Sequence, residues 1–193
     1  MGGGVGLQVM ERFGDCLGAH VWDSSVMMSR LFRFGSVGVG GGLGDVRGKD
    51  VLELGGGVGL TAVAVKGMGA RRVEVTEDFG KKGVEEILIY NCQGTGVTVK
   101  HCRWGEGGEG EGGACWDLVI AADVLYDRGA WENLASEALR KCKAGGTFLV
   151  GQKDRGGQRD VVEGFAQTAV GMGWTWGGRK RGGWEGDFVW FVK

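Results

Sequence analysis

The stretch Val51-Leu-Glu-Leu-Gly-Gly-Gly-Val-Gly-Leu60 constrains the fold more than any other part of the chain. A short apolar run carrying one acid ends in glycines at alternate positions, Gly55, Gly57 and Gly59, which predicts a buried strand turning sharply into a helix. Glycine admits positive φ and lets a ligand approach the main chain without meeting a Cβ, while the helix behind points free N–H groups at the gap. The turn is therefore expected to bind a nucleotide. A dinucleotide pattern G-x-G-x-x-G/A fails at Leu60 when started at Gly55, and is met by Gly57, Gly59 and Ala62 when started beyond the strand end. A dinucleotide fingerprint opens at the strand end, so E-x-G-x-G-x-G, with Glu53 as its acid, is the better description. Chance glycine triplets are common in a chain with 43 glycines among 193 residues; the position after V-L-E-L gives this one its weight.

A hydrophobic content of 42% is enough for a sizeable core, and the length suits one domain spanning 1–193, with a short amino-terminal extension over 1–21. The net charge of −1 offers no electrostatic footprint for nucleic acid or an anionic membrane, so neither is an expected partner. Five scattered cysteines without a C-x-x-C pair argue against a disulfide framework or a zinc site, and no metal is expected. A reducing compartment fits that usage. No basic-then-apolar leader opens the sequence and no apolar run approaches the ~20 residues of a membrane span, so the expected location is cytosol or nucleus. Proline is absent, for which the sequence supplies no structural account.

Periodicity along the chain alternates between strand and helix. A weak strand over Leu7–Phe13 precedes a helix from about Ser24 to Phe34, capped by Asp23 or Ser24, and a glycine-rich connector over 35–48. After Val51–Leu54 come a small-residue helix through Lys66, a strand Arg72–Thr76, a helix Lys82–Cys92 and a strand Val97–Cys102. A glycine- and glutamate-rich loop over 105–113 leads to a strand Asp117–Ala121, a helix Ala130–Cys142, a strand Thr147–Val150 and a helix Arg159–Gly171. A β pair around Trp174–Trp176 and Asp187–Val192 ends the reading. This order predicts an α/β, doubly wound sheet with helices on both faces, whose ligands lie at the carboxyl ends of the strands. Glu77 falls on that edge after the second strand, where a carboxylate can accept both hydroxyls of a ribose. Asp78 takes the role if the strand runs one residue further, and T-E-D alternatively caps the next helix. Trp22 beside an apolar helix reads by itself as a core residue, and Trp104 at a strand end serves either as a rim aromatic or as a flat wall for adenine. Asp117 reads as a loop cap and Asp127 as a helix-start acid, and His20 and His101 lack partners at catalytic spacing.

Five blocks in one order carry a specific resemblance: Val21-Trp-Asp-Ser-Ser25, V-L-E-L-G-G-G-V-G-L, Thr76-Glu77, Arg103-Trp-Gly105 and Ala121-Ala-Asp-Val-Leu-Tyr126. Over residues 8–150 they resemble the seven-β-strand, class I protein-lysine methyltransferase-like family. The resemblance implies a Rossmann-like seven-stranded sheet and S-adenosylmethionine as cofactor. It assigns the cofactor site to Trp22, Glu53, Gly55, Gly56, Gly57, Glu77, Trp104 and Ala122, and the chemistry to Asp123 and Tyr126 of D-x-x-Y. Asp123 is expected to orient an acceptor amine and Tyr126 to pack against its alkyl chain or the cationic centre. Alternatively Asp123 caps the following helix and Tyr126 is core. Gly56 stands where the family usually has a small side chain, Glu77 where it often has Asp, and Ala144 where it has proline before the fifth strand. The expected function is methyl transfer to a lysine of a protein substrate, by a monomer. A small-molecule N-methyltransferase and a catalytically silent binding subunit are the alternatives.

Overall fold

The computed structural model describes residues 7–12, 17–34, 45–80, 83–106, 113–155, 159–182 and 186–193. Helix α1 (Asp23–Phe34) is followed by β1 (Asp50–Leu54), α2 (Leu60–Gly67), β2 (Arg72–Glu77), α3 (Val84–Cys92) and β3 (Val97–His101). Then come β4 (Trp116–Ala122), α4 (Trp131–Lys141), β5 (Cys142–Lys153), α5 (Arg159–Gly171), β6 (Thr175–Gly182) and β7 (Gly186–Val192). They form a seven-stranded sheet in the order β3-β2-β1-β4-β5-β7-β6. Strands β1 to β5 run parallel, and β7 lies antiparallel between β5 and β6.

Strand β1 is buried at all five positions because it sits mid-sheet with helices above and below. Its alternate residues serve different cores: Leu52 and Leu54 join Val119, Ala121, Phe148, Phe165 and Phe191 under α4 and α5. Val51 joins Leu118, Ile120, Met28 and Val65 under α1 and α2. Period-two alternation thus feeds both faces from one strand. The sequence order turns back at the centre, where β1 pairs with both β2 and β4, and this switch point opens a crevice at the carboxyl ends.

Several expectations are corrected. Residues 7–12 form no strand; Met10 is instead tied by both its main-chain groups to the Asn91 side chain. Neither Asp23 nor Ser24 caps α1 from outside, since the helix begins at Asp23 and the Ser24 hydroxyl accepts the Lys153 N–H at 2.8 Å. Asp117 lies within β4, where it accepts the Asp50 N–H at 2.8 Å and pairs with Lys143. Strand β5 extends far before Thr147. Phe13, residues 35–44, Lys82 and residues 107–112 fall outside the described residues.

Candidate active site

The carboxyl ends of β1, β2 and β4 border a cavity of about 530 Å³. Its floor is the glycine turn, where Gly55, Gly57 and Gly59 take φ of 69°, 54° and 82°, values that L side chains seldom adopt. The N–H groups of Gly55 and Gly56 donate to the Thr76 carbonyl at 2.9 and 3.0 Å, tying the turn to β2. A Cβ on Gly55 would stand 3.0 Å from both Trp104 Cζ2 and Val124 Cγ1, so the bare backbone lets the indole close over the turn. A Cβ on Gly57 would press on the Gly18 carbonyl at 3.0 Å, which brings the segment before α1 to the opposite wall.

Glu77 ends β2 half-buried at the cavity wall. Its Oε2 accepts the Gly57 N–H at 2.8 Å and its Oε1 the Asp78 N–H at 3.0 Å, which holds the carboxylate beside the turn. Asp78 also lines the cavity, but its Oδ1 accepts the Gly80 N–H at 2.9 Å and its Oδ2 the Arg103 Nε–H at 3.1 Å. Cys102 lines the same wall; burial, then the nearby Glu137, pushes its thiol up to about 12, so it stays protonated near neutrality and is a poor nucleophile.

Across the cavity, Asp123 follows β4 at φ 62°, the only non-glycine residue at positive φ among those described. Its N–H donates to the Gly151 carbonyl at 2.8 Å, and its side chain is 3% exposed. Oδ1 accepts Gln152 Nε2 at 2.8 Å and Arg155 Nη1 at 2.7 Å, while Oδ2 accepts Arg155 Nη2 at 2.5 Å. The guanidinium carbon lies 5.2 Å from the Trp22 ring, whose Nε1–H donates to the Leu17 carbonyl at 2.9 Å. Tyr126 stands at the mouth, 60% exposed, so the alternative that it is core is set aside. Asp123 caps no α-helix; Asp127 meets its expectation as an acid at a helix start by accepting the Gly129 N–H of a 3₁₀ turn before α4.

Eight of the ten residues assigned to the cofactor and the chemistry therefore meet in one cavity: Trp22, Gly55, Gly57, Glu77, Trp104, Ala122, Asp123 and Tyr126. Glu53 and Gly56 do not line it. The Glu53 carboxyl is 1% exposed and accepts the Ala62 N–H at 2.8 Å, and burial pushes it up to about 8. A Cβ on Gly56 would stand 2.1 Å from Val75 Cγ2. Both residues build the base of the turn. Sequence reasoning missed Gly18 and Arg155, which carry no motif signal of their own. Arg103 was quoted in a motif but given no role. Among the described residues, no cluster of His, Cys, Asp and Glu could hold a metal ion, and no helix is long and apolar enough to cross a membrane.

A family model described as lysine methyltransferase matches residues 3–167. The mouse protein N-lysine methyltransferase METTL21A is 30% identical over 137 residues, covering 68% of this chain and 59% of that one. The chain thus spans somewhat over half the length of this curated relative. A TehB-like S-adenosylmethionine-dependent methyltransferase from Corynebacterium glutamicum superposes with a TM-score of 0.66 at 16% identity, covering 86% of this chain and 87% of that one. Fibrillarin from Aeropyrum pernix, solved with natively bound S-adenosyl-L-methionine, gives 0.65 at 17% identity, covering 88% and 75%. At these identities the two structures speak to the fold alone.

Proposed function

Because the chain belongs to the lysine methyltransferase family, we propose that it transfers a methyl group from S-adenosylmethionine to the side-chain amine of a lysine in another protein. One observation carries the reading: the glycine turn, Glu77 and Trp104 share a single cavity with Asp123 and Tyr126. The residues present fit the cofactor. The cavity's volume lies within the usual range for small-molecule sites, and Gly55 and Gly57 leave bare backbone where a Cβ would crowd the walls. Glu77 would accept the ribose hydroxyls from its fixed position beside Gly57. Trp104 would stack against the adenine, and Trp22 with Ala122 would border the methyl-bearing end.

When bound, S-adenosylmethionine supplies a methyl group on a positively charged sulfur, open to in-line attack by a nitrogen lone pair. The protein's share is placement, since holding reactants near 3–3.5 Å accounts for much of such a rate gain. Asp123 is fixed by Gln152 and Arg155 at the inner edge of the mouth, where the remaining lone pair of Oδ2 can accept an amine N–H. Tyr126 presents its ring to the outside, which suits the alkyl stem of a lysine delivered from a protein surface better than a small molecule sealed in a cavity. A free amine must exist at the moment of attack. For a lysine of pKa ≈ 10.4 at a pH near 7.4 that costs about 4 kcal/mol unless the site lowers it. The reading extends to a monomer acting in cytosol or nucleus.

The test combines two measurements. Calorimetry with S-adenosylmethionine, its demethylated product and NAD is expected to show binding of the first two and none of the third. Incubation with cofactor carrying a labelled methyl group and a cell extract, followed by mass spectrometry of tryptic peptides, is expected to place the label on lysine. Label found only on small molecules, arginine or histidine would overturn the assignment.

A further inference from the structure

The acid of D-x-x-Y does not face the mouth alone. Arg155, just beyond β5, grips both of its oxygens with two parallel bonds of 2.7 and 2.5 Å, and Gln152 adds a third donor. The carboxylate is 3% exposed and the guanidinium side chain 36%, so the pair is buried on the acid's side and open on the cation's. We infer that Arg155 is a positioning residue that cancels the charge of Asp123, so that the acceptor is received as a neutral amine rather than as an ammonium counter-ion. This rests on the proposed methyl transfer to lysine.

The electrostatics follow from the neighbours. A lone buried carboxylate beside the acceptor would favour the charged ammonium and hold the proton that must leave. Paired with Arg155 and Gln152, Asp123 keeps one acceptor lone pair, on Oδ2, and the ion pair presents no net charge. The other acids near the pair each have a partner: Glu77, on the cavity wall, accepts the Gly57 and Asp78 N–H groups. Asp23 of α1 approaches Lys153 of β5 at 3.8 Å, Asp154 approaches Arg181 of β6 at 4.0 Å, and Asp127 accepts the Gly129 N–H. Across the cavity Asp78 is paired with Arg103, and the His20 ring lies 6.0 Å from that of Trp22. The chain path serves the same end. Gly151 and Gln152 hold Asp123 from β5, and Arg155 follows on the same stretch, so one segment sets both the position and the charge of the acid.

The test needs neither cofactor nor protein acceptor, so its failure is separable from failure of the functional reading. The probes are n-butylammonium chloride and neutral 1-butanol, titrated into ¹⁵N-labelled protein while the Trp22 indole N–H resonance is followed. Wild-type protein is expected to bind the two with similar affinity. Arg155→Met should prefer the ammonium by roughly tenfold or more, the scale of an unscreened close charge pair. Arg155→Lys should restore the wild-type pattern, and Asp123→Asn combined with Arg155→Met should abolish the preference. Should Arg155→Met fail to fold, Asp123→Asn alone, which leaves Arg155 uncancelled, is expected to disfavour the ammonium relative to butanol. A wild-type preference for ammonium equal to that of Arg155→Met, or no discrimination in any variant, overturns the inference.

Discussion

The carboxylate of Glu77 is engaged before any ligand arrives, because one oxygen holds the glycine turn and the other the start of the next segment. Replacing it with alanine removes a ribose acceptor and releases the Gly57 N–H together. Glu77→Ala is therefore expected to weaken S-adenosylmethionine binding by about 1.5–3 kcal/mol, read by calorimetry. An unchanged affinity would mean that Asp78, or neither acid, meets the ribose. Trp104→Ala should lower affinity with the fold retained, because its indole edge covers Gly55. A fall in melting temperature with intact affinity would return it to a packing role. Asp123→Ala should leave cofactor affinity within about tenfold, ~1.4 kcal/mol, and reduce methyl transfer by ~10²-fold or more. Glu53 makes a different prediction, about pH. Burial raises it from the ordinary 4.5 to about 8, so the folded state keeps a proton that the unfolded chain gives up above about 4.5. Its contribution to stability then falls as pH rises through the window from about 4.5 to about 8, and is level beyond. Urea unfolding at several pH values should show a flatter profile for Glu53→Gln than for wild type across that window.

Among the elements, β5 bears most on the site. Its end supplies Gln152, and its Lys153 N–H is held by the Ser24 hydroxyl of α1, which is fully buried. Ser24→Ala leaves that N–H without its partner and should cost about 1–3 kcal/mol, measured by denaturant unfolding. The central strands are legible in the sequence because both faces of β1 and β4 are covered, leaving short unbroken apolar runs. The first half of β5 is not, since Lys143-Ala-Gly-Gly reads as a turn, and there the pairing with β4 jumps from Cys142 to Thr147 while Gly145 takes φ 72°. Strand β6 is read around Trp174–Trp176, but its run to Gly182 hides for a related reason. Gly177 and Gly178 look like breakers, yet they leave room for the Trp190 indole of β7, which a Cβ on either would strike at 2.2 or 2.5 Å. Within the site, residues embedded in motifs at strand ends were found from sequence. Arg155 was not, because its value arises from reaching Asp123, 32 positions away in the chain. Glu53 and Gly56 show the converse: a motif position can be fixed by the architecture of the turn, and only packing reveals which.

At the scale of the whole molecule, a ligand that binds only the folded state must raise its stability. At a concentration one hundred times its dissociation constant the gain is about 2.7 kcal/mol, or roughly 5–10 °C in melting temperature for a chain of this size. S-adenosylmethionine should produce that shift in a thermal melt; no shift at saturating concentration would reject the cavity as its site. The sheet order carries one more consequence, for synthesis. Every described residue that lines the cavity lies at or before Arg155, whereas β7, which covers the outer edge of β5, begins at Gly186. A nascent chain emerging from the ribosome therefore carries these side chains while β5 still exposes an unpaired edge, the kind of surface on which chains stick to one another. Until the β6–β7 hairpin emerges, self-association competes with folding at that edge, and the strands that end this exposure place none of their described residues in the cavity.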